Sequence, residues 1–175
     1  MKLLLMGHPN VGKSVLFNRL TGASVSESNY PGTTVDYTEG YMQLEGEEVK
    51  LIDVPGTFSL EPKDKAEEVA VKMLKENEDS IVICVIDSTK IERGLYLALE
   101  IIERGYPVVI ALNMWDVAKD KDIKIDLDRL RELLGVPVIP TIAVSGWGVK
   151  ELVSKIKEAK PRDISKVKDK LEVVA

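Results

Sequence analysis

Apolar and polar positions follow two recurrent patterns along this chain. Short runs of consecutive apolar residues predict strands buried on both faces, and apolar residues at positions i, i+3 and i+4 predict helices. The runs predict strands over residues 3–6, 35–44, 49–53, 81–86, 107–112 and 136–142. The helical spacing predicts helices over residues 14–20, 65–76, 91–103, 126–134 and 149–159.

The order of these elements predicts an α/β fold. Strands that alternate with helices form a mostly parallel sheet with helices on both faces. Glu45-Gly46-Glu47 joins two strands directly, so one hairpin strand runs antiparallel. Residues 23–34 are rich in Ser, Asn, Pro and Gly and show neither period, so we expect a loop. Residues 161–175 form a highly charged tail, where we favour a surface helix over a docking helix.

Composition narrows the classes of function. The chain has 175 residues, enough for one domain, and its net charge of −5 gives no reason to expect nucleic-acid binding. Cys84 is the single cysteine and lies in an apolar run, so we expect a buried thiol and no internal disulfide. No apolar run approaches the length that spans a bilayer, and the segment at residues 1–7 is a first strand rather than a signal peptide.

A phosphate-binding motif follows the first predicted strand. GHPNVGKS matches G-x-x-x-x-G-K-S, in which successive backbone N–H groups and a helix N-terminus surround a phosphate. Lys13 would bridge the β- and γ-phosphates, and Ser14 would bind Mg²⁺. The alternative is an accidental strand–turn–helix junction. His8 is the only histidine, and we favour a variable loop residue over a catalytic or metal-binding one. The predicted nucleotide contacts in this motif are Gly7, His8, Pro9, Asn10, Val11, Gly12, Lys13, Ser14 and the adjacent Val15.

Two further motifs end later strands. Asp53 begins the sequence DVPG, and in P-loop nucleotide hydrolases such an acid holds Mg²⁺ while the following glycine, here Gly56, reaches the γ-phosphate. Asn113-Met114-Trp115-Asp116 follows another strand. The Asp116 carboxylate can accept hydrogen bonds from guanine N1–H and N2–H₂, while Asn113 would tie this loop to the phosphate loop. Either motif alone is also an ordinary turn sequence.

Taken together, GHPNVGKS, NYPGTTVD, DVPGTFSL and NMWD resemble the cytosolic G domain of the ferrous-iron transport protein B family, within the translation-factor-type GTPases. The resemblance covers about residues 1–160 and implies a Ras-like fold with a six-stranded sheet. It places the first switch within residues 23–34 and the start of the second switch at residues 53–56. It implies that a first-switch threonine binds Mg²⁺, with Thr34 favoured over Thr33. It also implies guanine contacts from a degenerate last motif at Ala143, Val144 and Ser145.

The resemblance implies the setting of the domain as well. Family members continue into a helical domain and a transmembrane region, so residues 161–175 could begin that helical domain. The expected function is GTP hydrolysis at the cytoplasmic face of a membrane, coupled to Fe²⁺ uptake, with possible self-association through the switches. The alternatives are a ribosome-assembly or tRNA-modification GTPase acting on RNA, and a nucleotide-binding switch that scarcely hydrolyses GTP.

The usual group that orients the attacking water is missing. Thr57 stands where Ras-type enzymes carry a glutamine, and no arginine occurs between Arg19 and Arg93. We therefore expect slow intrinsic hydrolysis. Asn10 resembles the asparagine of cation-activated GTPases, whose amide oxygen binds K⁺ beside the phosphates. The alternative is that Asn10 only braces the loop by hydrogen bonding.

Overall fold

The computed structural model describes residues 1–22 and 24–161, which form one sheet flanked by helices. The strands are β1 (Lys2–Gly7), β2 (Val25–Asn29), β3 (Asp36–Leu44), β4 (Glu47–Asp53), β5 (Ile81–Asp87), β6 (Val108–Asn113) and β7 (Val138–Pro140). The α-helices are α1 (Lys13–Leu20), α2 (Lys65–Glu76), α3 (Ile91–Glu103), α4 (Trp115–Asp120), α5 (Leu127–Leu134) and α6 (Val149–Lys155). Short 3₁₀ turns lie at Ser88–Lys90 and Ile156–Glu158.

The sheet has the order β2-β3-β4-β1-β5-β6-β7. β1, β4, β5, β6 and β7 pair in parallel, and β3 runs antiparallel to both of its neighbours. The predicted α/β class, with one antiparallel hairpin strand, is confirmed. The predicted number of six strands was wrong, because the described residues form seven.

The additional strand lies within the segment predicted to be a loop. All five residues of β2 are exposed, and only backbone pairing with β3 holds the strand at the edge of the sheet. A strand exposed on both faces has no reason to alternate apolar and polar residues. The sequence Val-Ser-Glu-Ser-Asn therefore carries no periodic signal.

Smaller differences occur at the other end of the sheet. Residues 136–142 were predicted to be one strand, but β7 has only three residues, next to Pro137 and ending at Pro140. Proline has no N–H for a strand ladder, which limits the pairing. The helix predicted over residues 149–159 ends earlier as α6 and continues as a 3₁₀ turn. The six-residue helix α4 was not predicted.

Two hydrophobic layers cover the sheet. Leu4 and Met6 face the layer that includes residues of α2 and α3, while Leu3 and Leu5 face the layer that includes α1 and α6. Burial on both faces explains the unbroken apolar runs of the central strands. Among the described residues, no helix combines the length and apolar character needed to cross a membrane. The tail prediction for residues 162–175 lies outside the described residues.

Candidate functional site

The predicted motifs converge at the carboxyl ends of the parallel strands. β1 ends at Gly7, β4 at Asp53 and β6 at Asn113, and these strands lie in the central part of the sheet. In open α/β sheets this edge is where ligands bind. The fold therefore places the phosphate loop, the DVPG segment and the NMWD segment around one region.

The phosphate loop turns tightly into α1. Gly12 has φ of +85°, and a Cβ at this position would lie 2.3 Å from Asn113 Nδ2, so both conformation and space require glycine. α1 begins at Lys13, directly after the loop. A cavity of about 370 Å³ lies over this turn. Its lining residues are His8, Pro9, Asn10, Gly12, Lys13, Ser14, Val15 and Gly56.

Lys13 links the phosphate loop to the DVPG segment. Its ammonium forms an ion pair with the Asp53 carboxylate and donates a hydrogen bond of 2.6 Å to the Val54 carbonyl. Both side chains are mostly shielded from solvent, with exposed fractions of 11% and 12%. This pair brings together an ammonium group that suits a phosphate and, next to it, a carboxylate that suits a divalent metal.

The first-switch threonines differ in their contacts. The Thr33 hydroxyl donates to the Tyr30 carbonyl at 2.8 Å and accepts from the Val35 N–H at 3.1 Å, so it is committed to a turn. Thr34 is exposed, and its hydroxyl has no hydrogen-bond partner within residues 1–22 and 24–161. Thr34 is not among the residues that line the phosphate cavity in this conformation. Of these two threonines, Thr34 is therefore the one whose hydroxyl is free to bind a metal.

The second switch is anchored to the phosphate loop by its backbone. The Thr57 N–H donates to the Gly7 carbonyl at 3.0 Å, and a Cβ on Gly56 would lie 3.1 Å from Pro9. The Thr57 hydroxyl is fully buried, 2.6 Å from the Ser59 carbonyl oxygen and 2.9 Å from Glu67 Oε2. Its side chain is thus engaged away from the cavity and does not replace the missing glutamine.

Glu67 organises this switch and was not singled out from the sequence. Its buried carboxylate accepts hydrogen bonds from the N–H groups of Phe58 at 2.8 Å and Lys63 at 3.1 Å. The Phe58 bond is the main reason that the pKa of Glu67 is lowered, against the opposing effect of burial. Asp64 caps α2 by accepting from the Glu67 N–H. The pattern D-x-x-E, which is typical of a helix start, was the available signal.

His8 contacts the second switch. Its Nε2 lies 3.1 Å from the Phe58 carbonyl oxygen, and because that oxygen can only accept, Nε2 carries the proton. The two rings are tilted, with centroids 5.1 Å apart. Burial is the main cause that lowers the pKa of His8 below its ordinary value, and the nearby Arg93 lowers it further. At neutral pH the ring is a neutral contact between the loop and the switch.

Asn113 joins the phosphate loop to the last motif. Its Nδ2 donates to the Val11 carbonyl at 2.9 Å, while its Oδ1 accepts from Thr141 Oγ1 at 3.1 Å and from the Ala143 N–H at 3.0 Å. All of these bonds are buried. Met114 follows in a left-handed conformation with φ of 58°, which turns the chain into α4 and places Asp116 in its first turn. Asp116 is exposed.

The last motif, at Ala143 to Ser145, is bonded to Arg19 of α1, the helix that follows the phosphate loop. Arg19 Nε donates to the Ala143 carbonyl at 3.0 Å, and Arg19 Nη2 donates to the Val144 carbonyl at 2.5 Å. Ser145 follows in a turn in which its N–H donates to the Ile142 carbonyl at 3.1 Å. In the sequence, Arg19 was noted only as the last arginine before the switches. No sequence pattern indicated this contact, because 124 residues separate the partners.

Comparison with known proteins identifies the family. Residues 1–156 match the family described as Ferrous iron transport protein B. The chain belongs to this family. The Fe(2+) transporter FeoB of Shigella flexneri is 40% identical over 152 residues, which are 85% of this chain and 20% of that protein. The chain therefore spans about a fifth of the length of the curated relatives that it matches.

Solved structures of family members share the fold. The G domain of the T. maritima FeoB iron transporter is 43% identical, with a TM-score of 0.82 over 90% of this chain and 97% of that one. The cytosolic domain of the same transporter in GMPPNP form has a TM-score of 0.85 at 43% identity, over 90% of this chain and 63% of that one. These matches give no support to the alternative of an RNA-acting GTPase.

The predicted site residues fall into two groups, according to whether they lie at the phosphate cavity. The loop residues 8–10 and 12–15 line the phosphate cavity together with Gly56, and Lys13 and Asn113 connect it to Asp53 and to the last motif. The second group comprises Thr34, Asp116, Val144 and Ser145, which are exposed and do not line that cavity. The phosphate side is thus assembled in this conformation, while the first switch lies outside it.

The donor set fits Mg²⁺ better than a transition metal. Within the described part of the chain, no group of three or more His, Cys, Asp or Glu side chains is placed to hold a metal. Ser14, Asp53 and Thr34 offer hydroxyl and carboxylate oxygens, which are the ligands that Mg²⁺ takes together with substrate phosphates. The Asn10 amide makes no hydrogen bond to the described residues, and Asn10 lines the phosphate cavity.

Proposed function

We propose that this chain is the GTP-binding and GTP-hydrolysing domain of a ferrous-iron membrane transporter of this family. The observation that carries the proposal is the bridge by Asn113, which bonds the phosphate loop at Val11 and the last motif at Ala143. This bridge sets a phosphate site and a candidate base site at a fixed separation. Such an arrangement fits a nucleotide, which occupies both sites, whereas a phosphate alone would occupy only one of them.

Each predicted residue then has a role. Lys13 leaves its contact with Asp53 to meet the β- and γ-phosphates, and the loop N–H groups surround them. Ser14, Asp53 and Thr34 would hold Mg²⁺, which would neutralise charge on the phosphate oxygens. The Gly56 N–H reaches the γ-phosphate, and Asp116 accepts from the guanine edge. The last motif supplies a backbone N–H to guanine O6, and the Val144 N–H is the one in this motif that makes no hydrogen bond within the described residues.

The decisive experiment compares guanine and xanthine nucleotides. The native chain should bind GDP and GTP far better than ATP, and Asp116→Asn should shift preference from guanine toward xanthine, whose C2 carbonyl pairs with the new amide. Asp120→Asn, on the exposed end of the same short helix, is the matched control. Equal binding of GTP and ATP by the native chain would refute the assignment of Asp116.

The phosphate side has its own test. Lys13→Ala should abolish or severely weaken GTP binding, because the variant lacks the ammonium group that contacts the β- and γ-phosphates. GTP affinity unchanged in this variant would overturn the role of the loop. In cells that produce the full-length protein, the same variant should lose GTP-dependent uptake of radioactive Fe²⁺.

K⁺ stimulation is the finer part of the proposal. The unbonded Asn10 amide oxygen at the rim of the phosphate cavity is available to a monovalent cation, and the buried Thr57 hydroxyl leaves no side-chain substitute for the glutamine. Positive charge placed there stabilises the charge that develops in the transition state. GTP turnover should be faster in KCl than in NaCl for the native chain and equal for Asn10→Ala. Asn18→Ala, an exposed asparagine on α1, should retain the difference. Equal native rates in the two salts would refute the cation role.

The setting in the membrane is proposed from the family. The relatives are several times longer than this chain, so the partners are the remainder of the transporter, including a helical domain and a transmembrane region. The domain would then lie at the cytoplasmic face of the membrane. Switch movements on hydrolysis would carry the signal to that remainder, and self-association through the switches is a further route.

A further inference from the structure

We infer that Arg19 is a positioning residue for guanine recognition, because it fixes the peptide whose N–H meets guanine O6. This inference rests on the proposed function. Arg19 lies in the last turn of α1, the helix that begins at the phosphate loop. Its guanidinium donates to two successive carbonyls of the last motif, at Ala143 and Val144.

The contact is not an ordinary charge at a helix end. A basic side chain in a last turn often stabilises the helix through its free carbonyls. Here the Phe17 carbonyl already accepts from the Thr21 N–H at 2.9 Å and from the Thr21 hydroxyl at 2.8 Å. The Arg19 guanidinium instead donates to carbonyls of the distant loop.

The peptide geometry identifies the N–H that Arg19 controls. In a trans peptide, the carbonyl of one residue and the N–H of the next point in opposite directions. Arg19 holds the carbonyls of Ala143 and Val144, so the N–H groups of Val144 and Ser145 point away from the guanidinium. The Ser145 N–H is already used by the Ile142 carbonyl. Among the described residues, the Val144 N–H has no protein acceptor, which leaves it for a ligand.

Apart from Arg19, few contacts restrain the peptide between Ala143 and Val144. The Val144 side chain is 77% exposed, so core packing does not fix its conformation. The Ala143 N–H is held by Asn113, and Gly146 turns back with φ of +86° to donate to Ile142. These contacts fix the two ends of the loop. Between them, rotation of the Ala143–Val144 peptide is opposed by the Arg19 bonds, which are charge-assisted and therefore strong.

The consequence is a slower release of guanine nucleotide. A donor that is already oriented loses less conformational freedom when the ligand binds, which increases affinity mainly through the dissociation rate. Arg19 also shares α1 with Lys13 and Ser14. Helix α1 therefore contacts the phosphates at its first turn and supports the guanine-binding loop at its last turn. Through this second contact, Arg19 controls how long the nucleotide stays bound.

The test measures nucleotide release by stopped-flow fluorescence. Arg19→Ala should release a fluorescent GDP about tenfold faster, the change that corresponds to about 1.4 kcal/mol, with little change in the association rate. Arg19→Lys should lie between native and Arg19→Ala, because an ammonium cannot hold two carbonyls in one fork. The matched control is Arg129→Ala, at an exposed arginine on α5 whose side chain makes no hydrogen bond or ion pair within the described residues.

A nucleotide without O6 separates positioning from general stability. The diphosphate of 2-aminopurine riboside lacks this oxygen and the N1 hydrogen, keeps the 2-amino group that faces Asp116, and is itself fluorescent. Arg19→Ala should leave its release rate unchanged, while release of inosine diphosphate, which retains O6, should accelerate as GDP does. Equal acceleration for all three nucleotides would overturn the inference, as would unchanged GDP release in a folded Arg19→Ala or Arg19→Lys protein. Failure of the native chain to bind GDP would instead refute the proposed function, and the inference with it.

Discussion

Replacement of Asn113 by alanine should destabilise the domain even without nucleotide. The Asn113 side chain makes three buried hydrogen bonds, to Val11, Thr141 and Ala143, and all four residues have 4% or less of their surface exposed. Water cannot readily replace the lost partner at such positions. At about 1 kcal/mol for each buried bond, the free energy of unfolding should fall by about 3 kcal/mol. For a domain of this size, this corresponds to a melting temperature lower by roughly 6–12 °C.

Urea unfolding followed by circular dichroism, without nucleotide, measures this loss. Thr141→Val removes a single one of the three bonds while nearly preserving volume, and should cost about 1 kcal/mol. The ratio between the two variants is the informative quantity, since it cancels much of the error in extrapolation. A loss for Asn113→Ala no larger than that for Thr141→Val would refute the reasoning, because it would mean that Asn113 does not support both loops.

Three further outcomes follow from the titratable groups. The single His8 imidazole, observed by NMR, should titrate below the ordinary pKa of 6.5, and because the folded state disfavours the proton, stability should decline as pH falls through 6.5. A midpoint above 6.5 would contradict the burial of His8. The pKa of Glu67 is lowered, so its stabilising effect should be present above its ordinary value of 4.5 and lost as pH falls below it, and Glu67→Gln should flatten this acid limb of the stability profile. Burial raises the pKa of Cys84 to about 12, so a thiol reagent should react with it only after unfolding.

The helices and strands could be predicted from the sequence where their buried residues recur at a regular spacing. α2 and α3 have the predicted bounds, because each buries one face against the sheet and the apolar residues mark that face. β2 buries no residue and α4 is a six-residue helix that buries only Ala118, so neither leaves a period to detect. Local sequence predicts elements only to the extent that burial shapes their composition.

The candidate site divides in the same way. Phosphate-loop residues could be located because the chemistry requires neighbouring residues at fixed spacing, as for Gly12, Lys13 and Ser14. Contacts between distant segments, such as Arg19 with Val144 or Thr57 with Glu67, depend on the path of the backbone. A side chain that positions another group has no spacing rule of its own. The sequence therefore indicated the residues for chemistry and the brace at Asn113, but it did not indicate Arg19 or Glu67, which hold other segments in place.

The edge strand β2 has a consequence for how the first switch can move. It is bonded to one neighbour, β3, and none of its side chains is buried. Local opening of such a strand requires far less free energy than unfolding of the domain. The chain just before Thr33 and Thr34 can therefore peel from the sheet and dock again while β1, β4 and β5 stay intact. The number of strands paired in the sheet can therefore change between seven and six when the first switch moves.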